Sequence, residues 1–206
     1  MKENYFKIVK KKILKELYVT YNFQSIAHKS EHINRVLNTA LIISHNYNNV
    51  DVEVLKISVL LHDIAQPYND KKNHVKLSIN MASSILKDIN YPNNKIKKVL
   101  NVISEHSTEN MKKKKFTSIE SKILFDADKI DGIGASGISR VFSLFDQMNK
   151  EPLESIKWYK NKINIAIGNL QTKTGKKIFK KRLIFTNIFL DKLIKENKHL
   201  KKSNKT

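Results

Sequence analysis

The chain has 206 residues, 40% of them hydrophobic and none of them cysteine, which suits one well-buried domain and excludes disulfides and thiolate metal sites. Its formal net charge of +20 attracts phosphates, nucleic acid or anionic lipid, and equally describes a solvated lysine-rich surface. No apolar stretch approaches the roughly 18 residues that a membrane span needs, and the composition fits a cytoplasmic protein.

Helical period runs through nearly the whole chain. Residues 4–18 place Tyr5, Ile8, Val9, Ile13, Leu14 and Leu17 near one face, with lysines between them. That is an amphipathic helix packed on the domain, not a signal peptide. Residues 31–47 repeat the pattern with Ile33, Val36, Leu37, Ala40, Leu41 and Ile43. Asp51 is an N-cap for a helix to about Ile64, which Pro67 stops. Two further helices, 74–89 and 94–107, are split by "NYPNN". Another runs from Ser118 to about Ile130. "DGIGASG" is a glycine-rich break, "ISRVFSLFDQM" resumes helix, and two last helices cover 152–170 and 175–197. Nothing alternates like a strand.

The expectation is one all-α domain, a bundle of about eight helices. Residues 1–23 hold the N-terminal helix, 24–148 the core, 149–197 the C-terminal helices of the same domain, and 198–206 a basic tail. Charge is uneven: residues 171–206 carry twelve Lys/Arg against two acids, whereas 25–70 carry three against five.

The acidic stretch holds "LLHDIAQ", with His62 and Asp63 at the end of an apolar run. Alone, the pair reads as the polar end of a buried helix. Other residues change that reading. "HKSEHINRV" sets His28, His32 and Arg35 on one helical face. "ILFDADKIDGIGASG" sets Asp126, Asp128 and Asp131 among Ile, Leu and Phe, where carboxylates need a cation. His32, His62, Asp63 and Asp128 together offer two imidazoles and two carboxylates. That set suits one six-coordinate Mn²⁺, Mg²⁺, Co²⁺, Ni²⁺ or Fe²⁺, and zinc less well.

The order H…HD…D in an all-α chain resembles the HD-domain metal-dependent phosphohydrolase superfamily, and most closely its predicted-hydrolase branch. Three segments carry the likeness in order: "HKSEHINRV", "LLHDIA" and "DADKIDGIGASGISRVF". The C-terminal "LQTKTGKKIFKKRLIFTNIFLDKLIKE" is similar to the branch's closing "T-x-x-G-x-x-x-A-x-x-R" helix, with Phe179 where the pattern has alanine. The likeness spans roughly residues 24–196. It implies an HD-domain-like fold and hydrolysis of a phosphate ester or anhydride, with nucleotides as substrates. It implies His32, His62, Asp63 and Asp128 as metal ligands.

A divalent ion in that set would lower the pKa of a bound water and polarise a phosphoryl oxygen. Asp63, Asp131 and His106 are the catalytic candidates. Asp131 either assists proton transfer, orients a ligand, or ends its helix. His106 either binds a second ion or donates to phosphate; a single ion is the expectation. Arg35, Lys129, His28 and His74 are candidates for substrate binding, against a local salt bridge for Arg35 and a plain surface lysine for Lys129. Some nucleotide-cleaving members carry a glutamate four residues after the dyad histidine, where this chain has Gln66. An amide cannot protonate a leaving group, so either Asp131 or His106 does so or the leaving group needs no acid, which tilts the reading slightly toward phosphoanhydrides. Two other readings stand beside this one. The lysine run at 112–115 and the C-terminal lysines suit a nucleic-acid-binding or nucleolytic protein. The missing glutamate suits a metal-bound, inactive regulatory domain. Homodimer formation is left open.

Overall fold

The computed structural model describes residues 4–20, 23–65, 73–107, 116–147, 149 and 152–197, and within these the side chains of all but residues 14–30, 147, 152 and 153. Among the described residues there are nine helices and no strand: α1 (Tyr5–Thr20), α2 (Phe23–Ser44), α3 (Val52–Leu61), α4 (His74–Asp88), α5 (Asn93–Glu105), α6 (Ile119–Asp131), α7 (Gly134–Gln147), α8 (Pro152–Asn169) and α9 (Lys173–Asn197). None of the described helices is long and apolar enough to cross a membrane. The chain divides into two compact units, residues 1–128 and 129–206.

In the first unit α3 is the central element because most of its surface is buried: Val54, Leu55, Ile57, Ser58, Val59, Leu60 and Leu61 are covered, and only Val52, Glu53 and Lys56 keep some exposure. A helix with so wide an apolar face is packed on several sides, and α1, α2 and α5 pack on it while α4 packs on α5. Asp51 is the N-cap read from the sequence, its side chain accepting from Val54 N at 3.1 Å. Its own N–H donates to Glu120 Oε1 of α6 at 2.7 Å. Asn90, with φ 54°, closes α4 through Asn90 N to Lys87 O and Tyr91 N to Leu86 O, both 2.9 Å. Buried Glu105 ends α5 and accepts from Thr117 N at 3.1 Å and Thr117 Oγ1 at 2.8 Å, which ties the start of α6 to the end of α5.

Some boundaries differ from the periodic reading. Helix α3 ends at Leu61, and His62–Ala65 form a turn. There His62 Nδ1 lies 2.8 Å from Val59 O, and Ala65 N donates to buried Ser78 Oγ at 3.2 Å, so side chains replace helix bonds. Helix α2 starts at Phe23 rather than near 31, and the glycine-rich break narrows to Gly132 and Ile133.

In the second unit α7, α8 and α9 pack on one another around Phe145, Tyr159, Ile163, Phe179 and Leu190. Gly137 permits the tight passage from α6 to α7. A Cβ there would stand 2.3 Å from Gly132 C, a distance no side chain tolerates.

Candidate metal centre

The ring of His62 is wholly buried, and the Val59 carbonyl claims the proton of its Nδ1. Nε2 is therefore left with a lone pair. It is buried and has no hydrogen-bond partner among the described residues. An orphaned buried polar atom costs about 1–3 kcal/mol, so its surroundings matter. Asp63 Oδ2 is 3.6 Å away, and the His32 ring of α2 has its centroid 5.5 Å from that of His62. One ligand atom each from His32, His62 and Asp63 falls within 4.8 Å of the others. Asp128, on α6, flanks this trio, with Oδ1 3.7 Å from His32 Nε2. That separation is shorter than two metal–oxygen bonds of about 2.1 Å laid end to end. The donor set and the lone pair of His62 fit a divalent cation.

A second set shares Asp63. His106 caps α5, with Nδ1 2.6 Å from Ile103 O and Nε2 3.2 Å from Asp63 Oδ1. With its Nδ1 proton given to Ile103, a neutral His106 would set one acceptor against another, so a proton or a cation must lie between them. His74, the first residue of α4, has its ring centroid 6.0 Å from that of His106. Asp63, His74 and His106 form a second compact trio. Burial alone would push the Asp63 carboxyl up. His62, then His106 through hydrogen bond and charge, then His32 outweigh it and hold Asp63 well below the usual carboxylate range. The Asp63 side chain is 21% exposed while that of His62 has no exposure, so solvent reaches the centre on the aspartate's side.

The other candidates are placed as follows. Arg35 Nη1 is 3.7 Å from Glu31 Oε2, one turn earlier on α2. Lys129 is half-buried in the last turn of α6. Asp131 is wholly buried and accepts from Arg140 Nη1. His28 lies in α2, but its side chain, like Gln66, the 112–115 lysine run and the 198–206 tail, is outside the described residues. The sequence reading placed His74 beside substrate; the structure brings it to Asp63 and His106. No helical spacing could reveal this, because the helical period breaks at Pro67, between residues 63 and 74. Ser78, which holds the turn after the dyad, gave no signal either.

Comparison with known proteins identifies the family. The family model for the HD domain matches residues 30–133, just over half of the chain. The chain is 30% identical over 123 residues to YpgQ of Bacillus subtilis (strain 168), a match covering 58% of each protein. The crystal structure of YpgQ in complex with ADP superposes with a TM-score of 0.71 at 22% identity, covering 93% of this chain and 94% of that one. A predicted HD superfamily hydrolase from an uncultured Thermotogales bacterium gives a TM-score of 0.62 at 26% identity, covering 92% and 91%. With the dyad, its imidazole partner and the flanking aspartate gathered in an all-α fold, the chain belongs to the HD-domain superfamily of metal-dependent phosphohydrolases.

Proposed function

We propose that the protein hydrolyses phosphate esters or phosphoanhydrides, with nucleotides as the substrate class, at the centre formed by His32, His62, Asp63 and Asp128. The observation that carries this reading is the buried Nε2 of His62, which bears a lone pair, has no hydrogen-bond partner among the described residues, and sits in a compact set with His32 and Asp63. The ADP complex of YpgQ supports a nucleotide substrate. A divalent ion held there would acidify a water and polarise a phosphoryl oxygen.

The chain's own residues do the rest. The Val59 carbonyl fixes the tautomer of His62, and Asp63 turns one oxygen toward each trio. Arg35 is assigned to a substrate phosphate. Its pair with Glu31 is a surface ion pair worth about 0–1 kcal/mol, so a phosphate can displace the glutamate. Lys129 is assigned the same role. Asp131 is assigned to orientation rather than proton transfer, because its partner is a guanidinium that favours the ionised form.

The trio of Asp63, His74 and His106 favours a second ion in place of the single one expected from the sequence. We assign His106 and His74 to that ion, with Asp63 common to both.

The test is a screen of the purified protein with each of the five ions against nucleotides, sugar phosphates, cyclic dinucleotides and short oligonucleotides. Turnover of nucleotides that a chelator abolishes is the expected result. Metal retained without turnover on any substrate would establish the regulatory reading instead, and cleavage confined to oligonucleotides the nucleolytic one.

A further inference from the structure

The helix that delivers Asp128 ends one turn later, and side chains from three other helices meet that end. The last carbonyls of an α-helix have no partner within it. Arg182 Nη1 of α9 donates to Ile130 O at 3.0 Å. Tyr159 Oη of α8 donates to Gly132 O at 2.9 Å. Gly134 N donates to Thr186 Oγ1 of α9 at 2.9 Å, and that hydroxyl donates onward to Arg182 O at 3.1 Å. Asp131 accepts from Arg140 of α7. Gly134 adopts φ 77°, and the Arg182 stem lies 3.4–3.5 Å from where its Cβ would be, so the same arginine packs on the turn it caps.

The C-terminal motif explains why α9 can do this. Thr172, itself buried, accepts from Gly175 N at 2.9 Å and caps the helix. Gly175, Phe179, Thr186 and Leu190 then recur at helical spacing on the buried face, with half-buried Arg182 among them. A guanidinium on an inward face is costly unless acceptors meet it. Here it meets the negative end of the α6 dipole. Phe179, the departure from the family pattern, is simply another core residue at that spacing.

We propose that Arg182 and Thr186 are positioning residues: by fixing where and at what rotation α6 ends, they set the direction in which Asp128 presents its carboxylate. Helix α6 runs unbroken through residues 128 to 131, and Asp128 and Asp131 lie three residues apart on one face. A twist or fraying of the last turn therefore carries directly to Asp128. The inference rests on the reading of Asp128 as a metal ligand.

The experiment measures Mn²⁺ affinity of the full chain by electron paramagnetic resonance for wild type, Asp128→Ala, Arg182→Met and the double variant, with thermal melting as a control on folding. Removing a group that orients a ligand typically costs 10–100-fold in metal affinity. The expected result is a loss of about tenfold in Arg182→Met and no further loss when it is added to Asp128→Ala. Thr186→Val, which keeps the side-chain shape, is expected to show the same non-additivity at smaller size, and it serves if Arg182→Met does not fold. Equal losses in both backgrounds, or none in either, overturn the proposal. Wild type that binds no Mn²⁺, or Asp128→Ala that binds as wild type does, instead overturns the ligand reading beneath it.

Discussion

Helix α3 carries a polar cluster at each end, and the two differ in what meets their acceptors. At the N-terminal end, Glu53 Oε1 accepts from Lys95 Nζ at 2.9 Å and Tyr91 Oη at 3.0 Å. Asp51 accepts from Val54 N and has Lys95 3.6 Å away, and Glu120 accepts from Asp51 N. Acceptors meet donors, so the cluster is complete as a piece of structure. At the C-terminal end, imidazole nitrogens and carboxylates face one another: His62 Nε2 to Asp63 at 3.6 Å, His106 Nε2 to Asp63 at 3.2 Å and His32 Nε2 to Asp128 at 3.7 Å. A surplus of acceptors is stable only when protons or a cation supply what is missing. Polar residues at a helix end are therefore informative through their balance of donors, not through their number.

The strongest way to break this comparison is to remove an acceptor from the surplus. His62→Ala and Asp63→Ala are expected to lower turnover of the activating nucleotide by about 10³-fold or more, roughly 4 kcal/mol of barrier. Circular dichroism should show helical content retained, since His62 follows the last residue of α3. A chelator should produce the same loss in the wild type, and Mn²⁺ should restore it. Full activity in either variant sinks the assignment. Falling pH should weaken metal binding, because protons compete with the ion for imidazole nitrogens. Asp63, held below the usual range, keeps its charge further into acid than an ordinary aspartate.

A smaller effect separates the two trios. His106→Ala should reduce bound Mn²⁺ from two ions per chain to one, by elemental analysis after dialysis, and lower turnover by about 10–100-fold, the range for losing a group that supports a metal site. A wild-type stoichiometry of one would restore the single-ion expectation.

Parts of this arrangement were legible from the sequence. The run of residues 54–61, apolar but for Lys56 and Ser58, forces a central helix, and Asp51 announces its start. The dyad, His32 and Asp128 stand out as polar groups within apolar stretches; the structure gathers His32, His62 and Asp63 and sets Asp128 3.7 Å from His32. What escaped depends on contacts across breaks in period. His74 joins Asp63 from beyond the break in period at Pro67, and Asp131 meets Arg140 across a glycine turn. The early start of α2 escaped because "FQSIAHKS" has too few apolar residues to show a stripe. Arg182 falls on the arginine of the closing-helix pattern, but the pattern gives it no role; its partner, the Ile130 carbonyl, does.

The smallest expected effect tests the balanced end of α3. Lys95→Met keeps the apolar stem and removes the donor that Glu53 and Asp51 share. Because the Lys95 side chain is 31% exposed, the loss should be that of a partly screened pair, about 0.5–1 kcal/mol or 1–3 °C in melting temperature. Metal stoichiometry and turnover should stay at wild-type values. The hydrogen bond to Glu53 is the largest influence on Lys95 and, with the nearby acids, raises its pKa despite burial. A raised lysine contributes stability below its ordinary value of 10.5, and that contribution fades as pH climbs through the higher folded value. Wild type and Lys95→Met should therefore differ in melting temperature at pH 8 and converge in strong alkali. A variant that instead lost metal would show that the two ends of α3 are coupled, and the contrast between a self-sufficient cluster and a cation-demanding one would have to be abandoned.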